Sequence, residues 1–475
     1  MRELLESLSA ANASLRAGVE EVSPQLDAAS KAVLEGSRDV QDLLRKQLEA
    51  QRDLDQAEES RRRCARDLAN SLSKGPKFVR PSEWLPSPAA AQARVAACFM
   101  LKPSLLRELP GVLSTYLKYH LLCPTGPGLA HVFLFLDSSE PSELPAAACL
   151  LRWLEGPEGA ELKSLVTLLD GRGPAGALSA AVKERGRPAE RDAEVRAAAA
   201  RGELIALQML NAERALELCA AGPVSIDWLL CNLDMDEALV TSSGSLGTIL
   251  AAAPAEVCQL VFLNHEVVSE DPEPQDYFCS CTLVKRNPAV VCSGSEDERR
   301  CLQFWERRQA AVSPATSQCA QEGLQARRPG KDGFFCAYAN GKSAVRVAAA
   351  RSDGAFPLGS HRWELPGPVS AVEGQGVIDP AEACILHYAN CGGEADFVRK
   401  YGGRAQESWN SLPFHHLCQR AHLTGGAALR ELYKIAVILE DQAEVEQQLS
   451  AGVCARITHV RDACLTLKMR LDCMD

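Results

Sequence analysis

The sequence predicts an α/β protein with a doubly wound, mostly parallel sheet and helices on both of its faces. Continuous apolar runs recur through the middle of the 475-residue chain, as expected for strands that are buried on both faces. Segments with helical periodicity separate these runs, and alternation of strand and helix favours a parallel sheet. One run, residues 226–233, leads directly into Asp234, Asp236 and Glu237. This acidic run is the strongest functional signal in the chain.

Composition limits the class of protein. The chain is 46% hydrophobic and 24% charged, which is an ordinary globular composition, and its net charge of -11 argues against nucleic acid as a partner. No apolar run reaches the ~18 residues of a membrane span, and the first residues lack the core of a signal peptide. Taken literally, the sequence indicates the cytoplasm. A Golgi or secretory lumen stays open as the alternative if an N-terminal anchor is missing from this chain.

The 19 cysteines are scattered. The close pair Cys279 and Cys281, and the wider pair Cys384 and Cys391, both lack the doubled spacing of a zinc site. Buried free thiols are the favoured interpretation. A few disulfides in an oxidising compartment remain an alternative.

Residues 1–74 contain no aromatic residue. Apolar residues recur at gaps of three and four, beginning with Leu4, Leu8, Ala11 and Leu15, and this spacing is typical of the seam of a coiled coil. We expect this segment to self-associate, whereas docking on the main body is the alternative. The proline-rich residues 75–93 then predict a linker.

The first elements of the main domain follow. Residues 95–101 predict a buried strand, residues 105–122 a helix and residues 131–137 a second strand. Asp137 stands where that strand ends, a position from which a carboxylate can bind the base or ribose of a nucleotide. An ordinary turn residue is the alternative for Asp137. Residues 205–218 then predict the amphipathic helix that leads into the acidic run.

The acidic run predicts a metal site. Carboxylates two residues apart at the end of a strand can converge on one point, and they repel each other unless a cation lies between them. Their oxygens favour Mg²⁺ or Mn²⁺, which in proteins commonly also hold substrate phosphates. We therefore expect Asp234 and Asp236 to form a metal–diphosphate site at the carboxyl end of a strand. The alternative is an acidic turn.

Later elements are less regular. Residues 246–253 predict a helix, 257–263 and 282–286 predict strands, and residues 293–332 show no clear pattern. A short strand at residues 342–347 carries the cations Lys342 and Arg346, and the apolar run at residues 384–391 includes His387. Residues 425–475 predict C-terminal helices, at 426–449 and 454–470.

Several stretches, taken in order, resemble the glycosyltransferase-like proteins of the family 2 and family 92 group. They are Leu117-Lys118-Tyr119-His120, residues 128–137, Gln208-Met209-Leu210-Asn211, residues 227–237, residues 340–346, His361-Arg362 and residues 385–391. The resemblance covers residues 94–424, and we expect the transferase-like domain there. It implies a GT-A fold, which binds a nucleotide-sugar and a divalent metal and transfers the sugar to a hydroxyl acceptor.

The resemblance also implies roles for individual residues. Asp234 and Asp236 correspond to the family's metal- and diphosphate-binding residues. His387 corresponds to the histidine that completes the metal shell, and an imidazole ligand suits Mn²⁺ better than Mg²⁺; a buried core histidine is the alternative. Lys342 and Arg346 would counter the charge of the leaving diphosphate, unless they are solvated strand residues.

The expected donor is a UDP- or GDP-sugar, and the acceptor a glycan, protein or lipid. Glu266 and Glu364 are the candidates for the catalytic base that an inverting transfer needs near the acceptor hydroxyl. A non-catalytic coiled-coil interaction protein with a degenerate transferase-like domain is the second hypothesis. A metal-dependent phosphohydrolase or nucleotidyltransferase is a third, without a glycine-rich phosphate loop to support it.

Overall fold

The computed structural model describes residues 78–84, 92–102, 110–137, 143–157, 159–171, 189–221, 225–242, 244–291, 295–310, 334–352, 354–365, 375–403 and 413–472. They belong to a compact unit that spans Lys77–Asp475. The predicted coiled coil at residues 1–74 lies outside the described residues. Part of the predicted linker is described, and Phe78–Val79 in it forms a short strand.

Fifteen strands are found among the described residues. In chain order they are β1 (Phe78–Val79), β2 (Val95–Leu101), β3 (His131–Leu136), β4 (Val166–Asp170), β5 (Trp228–Cys231), β6 (Glu237–Thr241), β7 (Gln259–Phe262), β8 (Asn264–Val268), β9 (Leu283–Lys285), β10 (Lys342–Arg346), β11 (Phe356–Pro357), β12 (Trp363–Glu364), β13 (Gln375–Ile378), β14 (Ala383–His387) and β15 (Cys454–Arg456).

Thirteen α-helices are found in the same part of the chain. They are α1 (Pro110–Leu121), α2 (Leu144–Glu155), α3 (Ala189–Ala200), α4 (Leu204–Ala221), α5 (Leu246–Ala251), α6 (Tyr277–Ser280), α7 (Glu296–Ala310), α8 (Val347–Ser352), α9 (Gly393–Gly402), α10 (Pro413–Thr424), α11 (Gly426–Leu432), α12 (Gln442–Ser450) and α13 (His459–Asp472). In the ranges that the structure describes, no helix has both the length and the apolar character that a membrane span requires.

The larger sheet has eight strands in the order β1-β13-β7-β10-β5-β2-β3-β4. Strand β10 is antiparallel to both of its neighbours, β5 and β7. All other neighbouring strands pair in parallel. The prediction of an α/β protein is therefore confirmed, but the sheet is mixed, and the reversed direction of β10 is a feature that the sequence did not indicate.

Both faces of the larger sheet are buried. Alternate residues of β2 point to opposite faces, so Phe99 belongs to the core that includes Tyr116 of α1, whereas Cys98 belongs to the core that includes Leu216 of α4. Helices α1, α2 and α5 contribute to the first core, and α4 and α8 to the second. The prediction of helices on both faces is confirmed.

A second sheet has five strands in the order β15-β9-β8-β14-β6. Only β8 and β14 pair in parallel; its other strands are antiparallel. The chain leaves β5 of the larger sheet and enters β6 of the second sheet within residues 232–236. The acidic run therefore lies where the chain passes from one sheet to the other.

The C-terminal part differs from the predicted pair of helices. Helix α11 ends at Leu432 in a π-helical turn, Tyr433–Val437, and α12 begins only after Asp441, whose side chain accepts hydrogen bonds from the amides of Ala443 and Glu444. Such an N-cap starts a new helix. Residues 454–456, expected as the start of a helix, instead form β15, which pairs with β9.

Helix α7 lies in a region where the sequence showed no clear pattern. Acidic residues occupy its first turn and basic residues its last turn, which matches the helix dipole. Its apolar side is short, with Cys301, Leu302 and Trp305 buried. The signal of this helix in the sequence is the arrangement of its charges, which an analysis of hydrophobic periodicity does not detect.

Candidate functional site

The turn that carries the acidic residues is fixed by backbone contacts. Asn232 adopts a left-handed conformation with φ of 51°, which asparagine tolerates better than most residues. The Leu233 amide donates to the Cys98 carbonyl at 3.1 Å, and the Leu233 carbonyl accepts from the Tyr116 hydroxyl at 2.8 Å. The Glu237 amide donates to the Asp234 carbonyl at 2.9 Å, which closes the turn.

Lys342 lies beneath this turn. Its ammonium nitrogen is 2.7 Å from Asp234 Oδ2 and 3.2 Å from Glu237 Oε2. The side chains of Lys342 and Glu237 are 2% and 4% exposed, whereas that of Asp234 is 33% exposed. Burial opposes the charge on Lys342, but the two carboxylates outweigh it and raise the pKa of this lysine. A protonated lysine thus already neutralises part of the acidic run.

Asp236 has a different partner. Its Oδ2 lies 3.8 Å from His387 Nε2, and the two side chains are 30% and 16% exposed. The Tyr388 amide donates to the Asp236 carbonyl at 2.7 Å, which holds the acidic turn against the end of β14. Asp234 and Asp236 therefore face separate partners instead of converging on each other.

The charge states of this second pair suit a metal. Burial raises the pKa of Asp236, but the nearby charges of His387, Lys400 and Lys342 together lower this pKa by more than burial raises it. The net shift is therefore downward. Burial also lowers the pKa of His387, although Asp236 opposes this effect. At neutral pH the pair is a carboxylate beside a neutral imidazole, and both offer lone pairs to a cation.

The residues fit a divalent metal in part. Among the described residues, no three or more His, Cys, Asp or Glu side chains form a group that could hold a metal ion. Asp236 and His387 offer two ligands, which suffices for a metal that takes its remaining ligands from water and substrate phosphates. Asp234 is held by Lys342, so the structure does not assemble the predicted set of Asp234, Asp236 and His387 as one cluster.

Asp137 lies at the same edge of the larger sheet. It directly follows β3, and its amide donates to the Leu101 carbonyl at 2.8 Å. Strand β2 lies between β3 and β5, which places Asp137 about 10 Å across the sheet from the end of β5. The residue Asp137 also makes a further polar or electrostatic contact within the described residues. The sequence-based placement of this residue at the strand edge is correct, whereas its nucleotide-binding role stays a prediction.

Arg346 is not brought to the acidic turn. It lies at the far end of β10, opposite Trp228, which is the first residue of β5. Its guanidinium donates to the carbonyls of Ala253, Pro254 and Val257 and stands 4.5 Å from the centre of the Trp228 ring. Lys342 and Arg346 are four positions apart along β10, which corresponds to about 13 Å. The two predicted cations therefore occupy opposite edges of the sheet.

Glu266 is buried and fully engaged. Its Oε1 lies 2.7 Å from the ammonium of Lys285, and its Oε2 accepts hydrogen bonds from the amides of Cys336 and Ala337, each at 2.7 Å. The Lys285 ammonium also donates to the Phe334 carbonyl at 3.0 Å. A catalytic base must reach the proton that it abstracts, and these contacts leave Glu266 without a free oxygen. Its predicted catalytic role has no geometric support.

Glu364 also lies apart from the acidic residues. The segment before it begins near the site, where His361 Nδ1 is 2.7 Å from the Gly341 carbonyl. It then runs across the sheet to Trp363, whose amide donates to Gln259, the first residue of β7. Glu364 follows on the short strand β12, paired with Phe356 of β11. Its predicted role as a base is untested.

Two residues at the site had no assigned role in the sequence analysis. Gln208 of α4 donates to Asp234 Oδ1 at 3.4 Å. Lys400 of α9 adds positive charge near Asp236 and donates to the Ala389 carbonyl. Both lie on helices that are distant in sequence from the acidic run. The resembling stretches include Gln208 and could have indicated it, whereas no signal in the sequence indicated Lys400.

Comparison with known proteins gives a partial match. No family model matches the chain. Two proteins of Arabidopsis thaliana, both named glycosyltransferase-like, are similar to it. The first is 31% identical over 194 residues, which cover 39% of this chain and 34% of the relative. The second is 27% identical over 190 residues, which cover 39% of this chain and 30% of the relative. The chain thus matches about a third of the length of these relatives, and they support a glycosyltransferase-like protein.

Proposed function

We propose that this protein is a metal-dependent glycosyltransferase, which moves a sugar from a nucleotide-sugar donor to a hydroxyl acceptor. The observation that carries the proposal is the pairing of Asp236 with His387 beside the Asp234–Lys342 ion pair, at the carboxyl edge of the parallel strands. Open α/β sheets bind their ligands at this edge. The similarity to two glycosyltransferase-like relatives supports the same class of reaction.

In this proposal the fold is of the GT-A type. A larger sheet with helices on both faces supplies the edge, and the second sheet supplies His387 at the end of β14. The two sheets meet at the acidic turn, so this turn supplies Asp236 and the second sheet supplies His387. Asp137, on the nucleotide side of the same edge, would bind the ribose or base of the donor.

The metal, Mn²⁺ or Mg²⁺, would be held by Asp236 and His387 and would supply charge neutralisation for the donor diphosphate. The chain's own residues orient the site. Lys342 fixes the carboxylate of Asp234, and Gln208 donates to its other oxygen. These two contacts fix the Asp234 carboxylate, whose side chain remains one-third exposed. It would then accept a hydrogen bond from a hydroxyl of the nucleotide-sugar donor.

The test is a melting experiment on the full chain. We expect Mn²⁺ together with UDP or GDP to raise Tm, because a ligand that binds only the folded state stabilises it by about 2.7 kcal/mol at one hundred times its Kd. Asp236→Asn and His387→Ala should lose this gain. Release of nucleoside diphosphate from a panel of UDP- and GDP-sugars then measures the reaction.

Asp227→Asn is the matched control. Asp227 immediately precedes β5, at the opposite end of the strand, and accepts a hydrogen bond from the Arg94 amide at 2.8 Å. The same chemical change at that position should leave the response to metal and nucleotide unchanged. An equal response in Asp236→Asn and Asp227→Asn would refute the metal site.

The second hypothesis, a non-catalytic interaction protein with a transferase-like domain, has two observations in its favour. Lys342 already neutralises Asp234, and the described residues offer no three-residue metal cluster. Under this hypothesis neither Mn²⁺ nor any nucleoside diphosphate shifts Tm. The melting experiment therefore separates the two hypotheses without an identified acceptor.

A further inference from the structure

Neither of the two cations predicted for the donor diphosphate is free to bind it. The side chain of Lys342 is 2% exposed, and its ammonium is already engaged by Asp234 and Glu237. Arg346 lies at the opposite edge of the sheet, beside the first residue of β5. A nucleotide-sugar carries its negative charge on the diphosphate, which favours a site with a cation that still has free donors.

Lys400 of helix α9 lies close to the predicted metal ligands. Its ammonium donates a hydrogen bond to the Ala389 carbonyl. Ala389 is two residues beyond His387, so the Cα atoms of these two residues are at most about 7 Å apart. Between them, the Tyr388 amide donates to the Asp236 carbonyl at 2.7 Å. The Lys400 ammonium therefore lies against the short segment that carries His387 and that holds the turn of Asp236.

The charge of Lys400 acts on both predicted metal ligands. Burial raises the pKa of Asp236, whereas the charges of His387, Lys400 and Lys342 lower it. Burial lowers the pKa of His387, and Lys400 and Lys342 add to this effect, although Asp236 opposes it. These effects agree with the position of the ammonium beside the segment at residues 387–389.

The ammonium of Lys400 has donors to spare. A lysine ammonium has three N–H donors, and the Ala389 carbonyl accepts one of them. The centre of the Tyr401 ring is 5.8 Å from this ammonium. Within the ranges that the structure describes, no carboxylate forms an ion pair with Lys400, and the residue is partly exposed. Two N–H donors and an unpaired charge are thus available to an anion.

We propose that Lys400 binds the diphosphate of the nucleotide-sugar donor, beside the metal that Asp236 and His387 would hold. This role rests on the proposed function, and it assigns to Lys400 the task predicted for Lys342 and Arg346. Oxygens of the diphosphate accept the donors that the Ala389 carbonyl leaves free, as charge-assisted hydrogen bonds. Lysine is a common phosphate ligand in proteins because its ammonium acts as a point charge.

The test is isothermal titration of the full chain in Mn²⁺, with UDP, GDP and the nucleosides uridine and guanosine as probes. Loss of a hydrogen bond to a charged group should raise the Kd of UDP or GDP about 10- to 100-fold in Lys400→Met. The affinity for the matching nucleoside, which has no phosphate, should stay unchanged. Lys400→Arg should restore most of the affinity for the nucleoside diphosphate.

Two further measurements separate this role from a structural one. Lys400→Gln keeps a donor for the Ala389 carbonyl but has no charge, so it should lose affinity for UDP or GDP with a wild-type Tm. It also serves as the test protein if Lys400→Met fails to fold. Because the proposed contact joins opposite charges, added salt should weaken binding to the wild type more than binding to Lys400→Gln.

Lys434→Met is the matched control. Lys434 is 61% exposed, and its ammonium lies 3.1 Å from Glu394, so the same substitution there should leave the affinity for UDP and GDP unchanged. A wild-type protein that binds neither UDP nor GDP would overturn the proposed function together with this role. Wild-type affinity in Lys400→Met and Lys400→Gln would overturn the role of Lys400 alone. An equal loss of nucleoside and nucleoside diphosphate binding would also overturn it, since Lys400 would then act through the fold.

Discussion

Lys342 holds Asp234 at 2.7 Å, in the position where the sequence suggested that a metal ion would be needed. The spacing of Asp234 and Asp236 indicated two carboxylates that repel each other. In the structure, Lys342 of the antiparallel strand β10 pairs with Asp234, and its ammonium nitrogen also lies 3.2 Å from Glu237 Oε2. Lys342 thereby offsets the repulsion, and among the described residues of the acidic run and its neighbours, Asp236 and His387 are left as ligands for a metal.

Lys342→Met should destabilise the protein strongly. The change leaves the half-buried carboxylate of Asp234 without its cation, whereas burial raises the pKa of Glu237 to about 8, so that Glu237 can take up a proton. Breaking a buried ion pair costs about 3–5 kcal/mol, and we expect a loss at the lower end of this range. Urea denaturation at neutral pH measures the change in the free energy of unfolding. The double variant Asp234→Asn with Lys342→Met should recover part of the loss, because the unpaired charge of Asp234 is then gone.

Arg346→Met is the control for this variant. It removes a cation from the same strand, and the carbonyl contacts of Arg346 predict some loss of stability. Because Arg346 lies at the opposite edge of the sheet, we expect no effect on the response to Mn²⁺ and nucleotide. A Lys342→Met protein as stable as the wild type would show that the ion pair contributes little.

Asp236→Asn should have little effect on the metal-free protein. Repulsion between Asp234 and Asp236, taken alone, would make this variant equally or slightly more stable, because the variant relieves that repulsion. In the structure Lys342 has already relieved that repulsion, and His387, Lys400 and Lys342 lower the pKa of Asp236, which favours its ionised form. We now expect a loss of up to about 1 kcal/mol, as for a partly exposed charge. Melting without metal measures it, and a clear gain would contradict this account.

Much of the fold follows from the sequence because burial leaves a local signal. The continuous apolar runs of β2, β3 and β5 identify the strands of a sheet that is covered on both faces. The site is only partly predictable, since its geometry depends on pairings between distant segments. The strand with Lys342 and Arg346 was recognised, but only the antiparallel register of β10 shows that one cation reaches the acidic turn and the other does not.

Glu266 illustrates the same limit. The sequence places it just after the strand predicted at residues 257–263, at the expected edge of the cleft, and this position made it a candidate base. Its partners, Lys285 and the amides of Cys336 and Ala337, come from segments 19 to 71 residues away along the chain. A local sequence pattern carries no information about contacts between residues so far apart along the chain. These contacts hold Glu266 in the interior of the protein.

Glu266→Gln should therefore act on stability. The variant leaves the buried ammonium of Lys285 without a counter-charge, and we expect a loss of about 3–5 kcal/mol in the free energy of unfolding. The Mn²⁺ and nucleotide response of the protein that remains folded should be retained. Glu364→Gln is the matched control, since its side chain is only partly buried and the expected effect is small. Unchanged stability in Glu266→Gln, together with lost sugar transfer, would instead restore the catalytic-base hypothesis.

His120 should make the protein sensitive to acid. The ring is fully buried, with Nδ1 2.8 Å from the Tyr116 carbonyl and Nε2 3.2 Å from the Leu239 amide nitrogen. A carbonyl only accepts and an amide only donates, so the neutral ring carries its hydrogen on Nδ1. Burial lowers the pKa of His120 from its ordinary value of 6.5 to about 4. Between these two values the unfolded chain binds a proton that the folded protein does not.

The free energy of unfolding must therefore fall as the pH decreases from about 6.5 towards 4, by up to about 1.4 kcal/mol per pH unit for this histidine. Its contribution is complete above pH 6.5. His265, whose pKa burial also lowers to about 4, acts in the same direction. In His120→Gln, where an amide can keep both hydrogen bonds, the slope should become shallower while the part due to His265 remains. Denaturation curves measured from pH 4.5 to 7.5 give this slope, and an identical slope in the variant would mean that His120 is not buried in its neutral form.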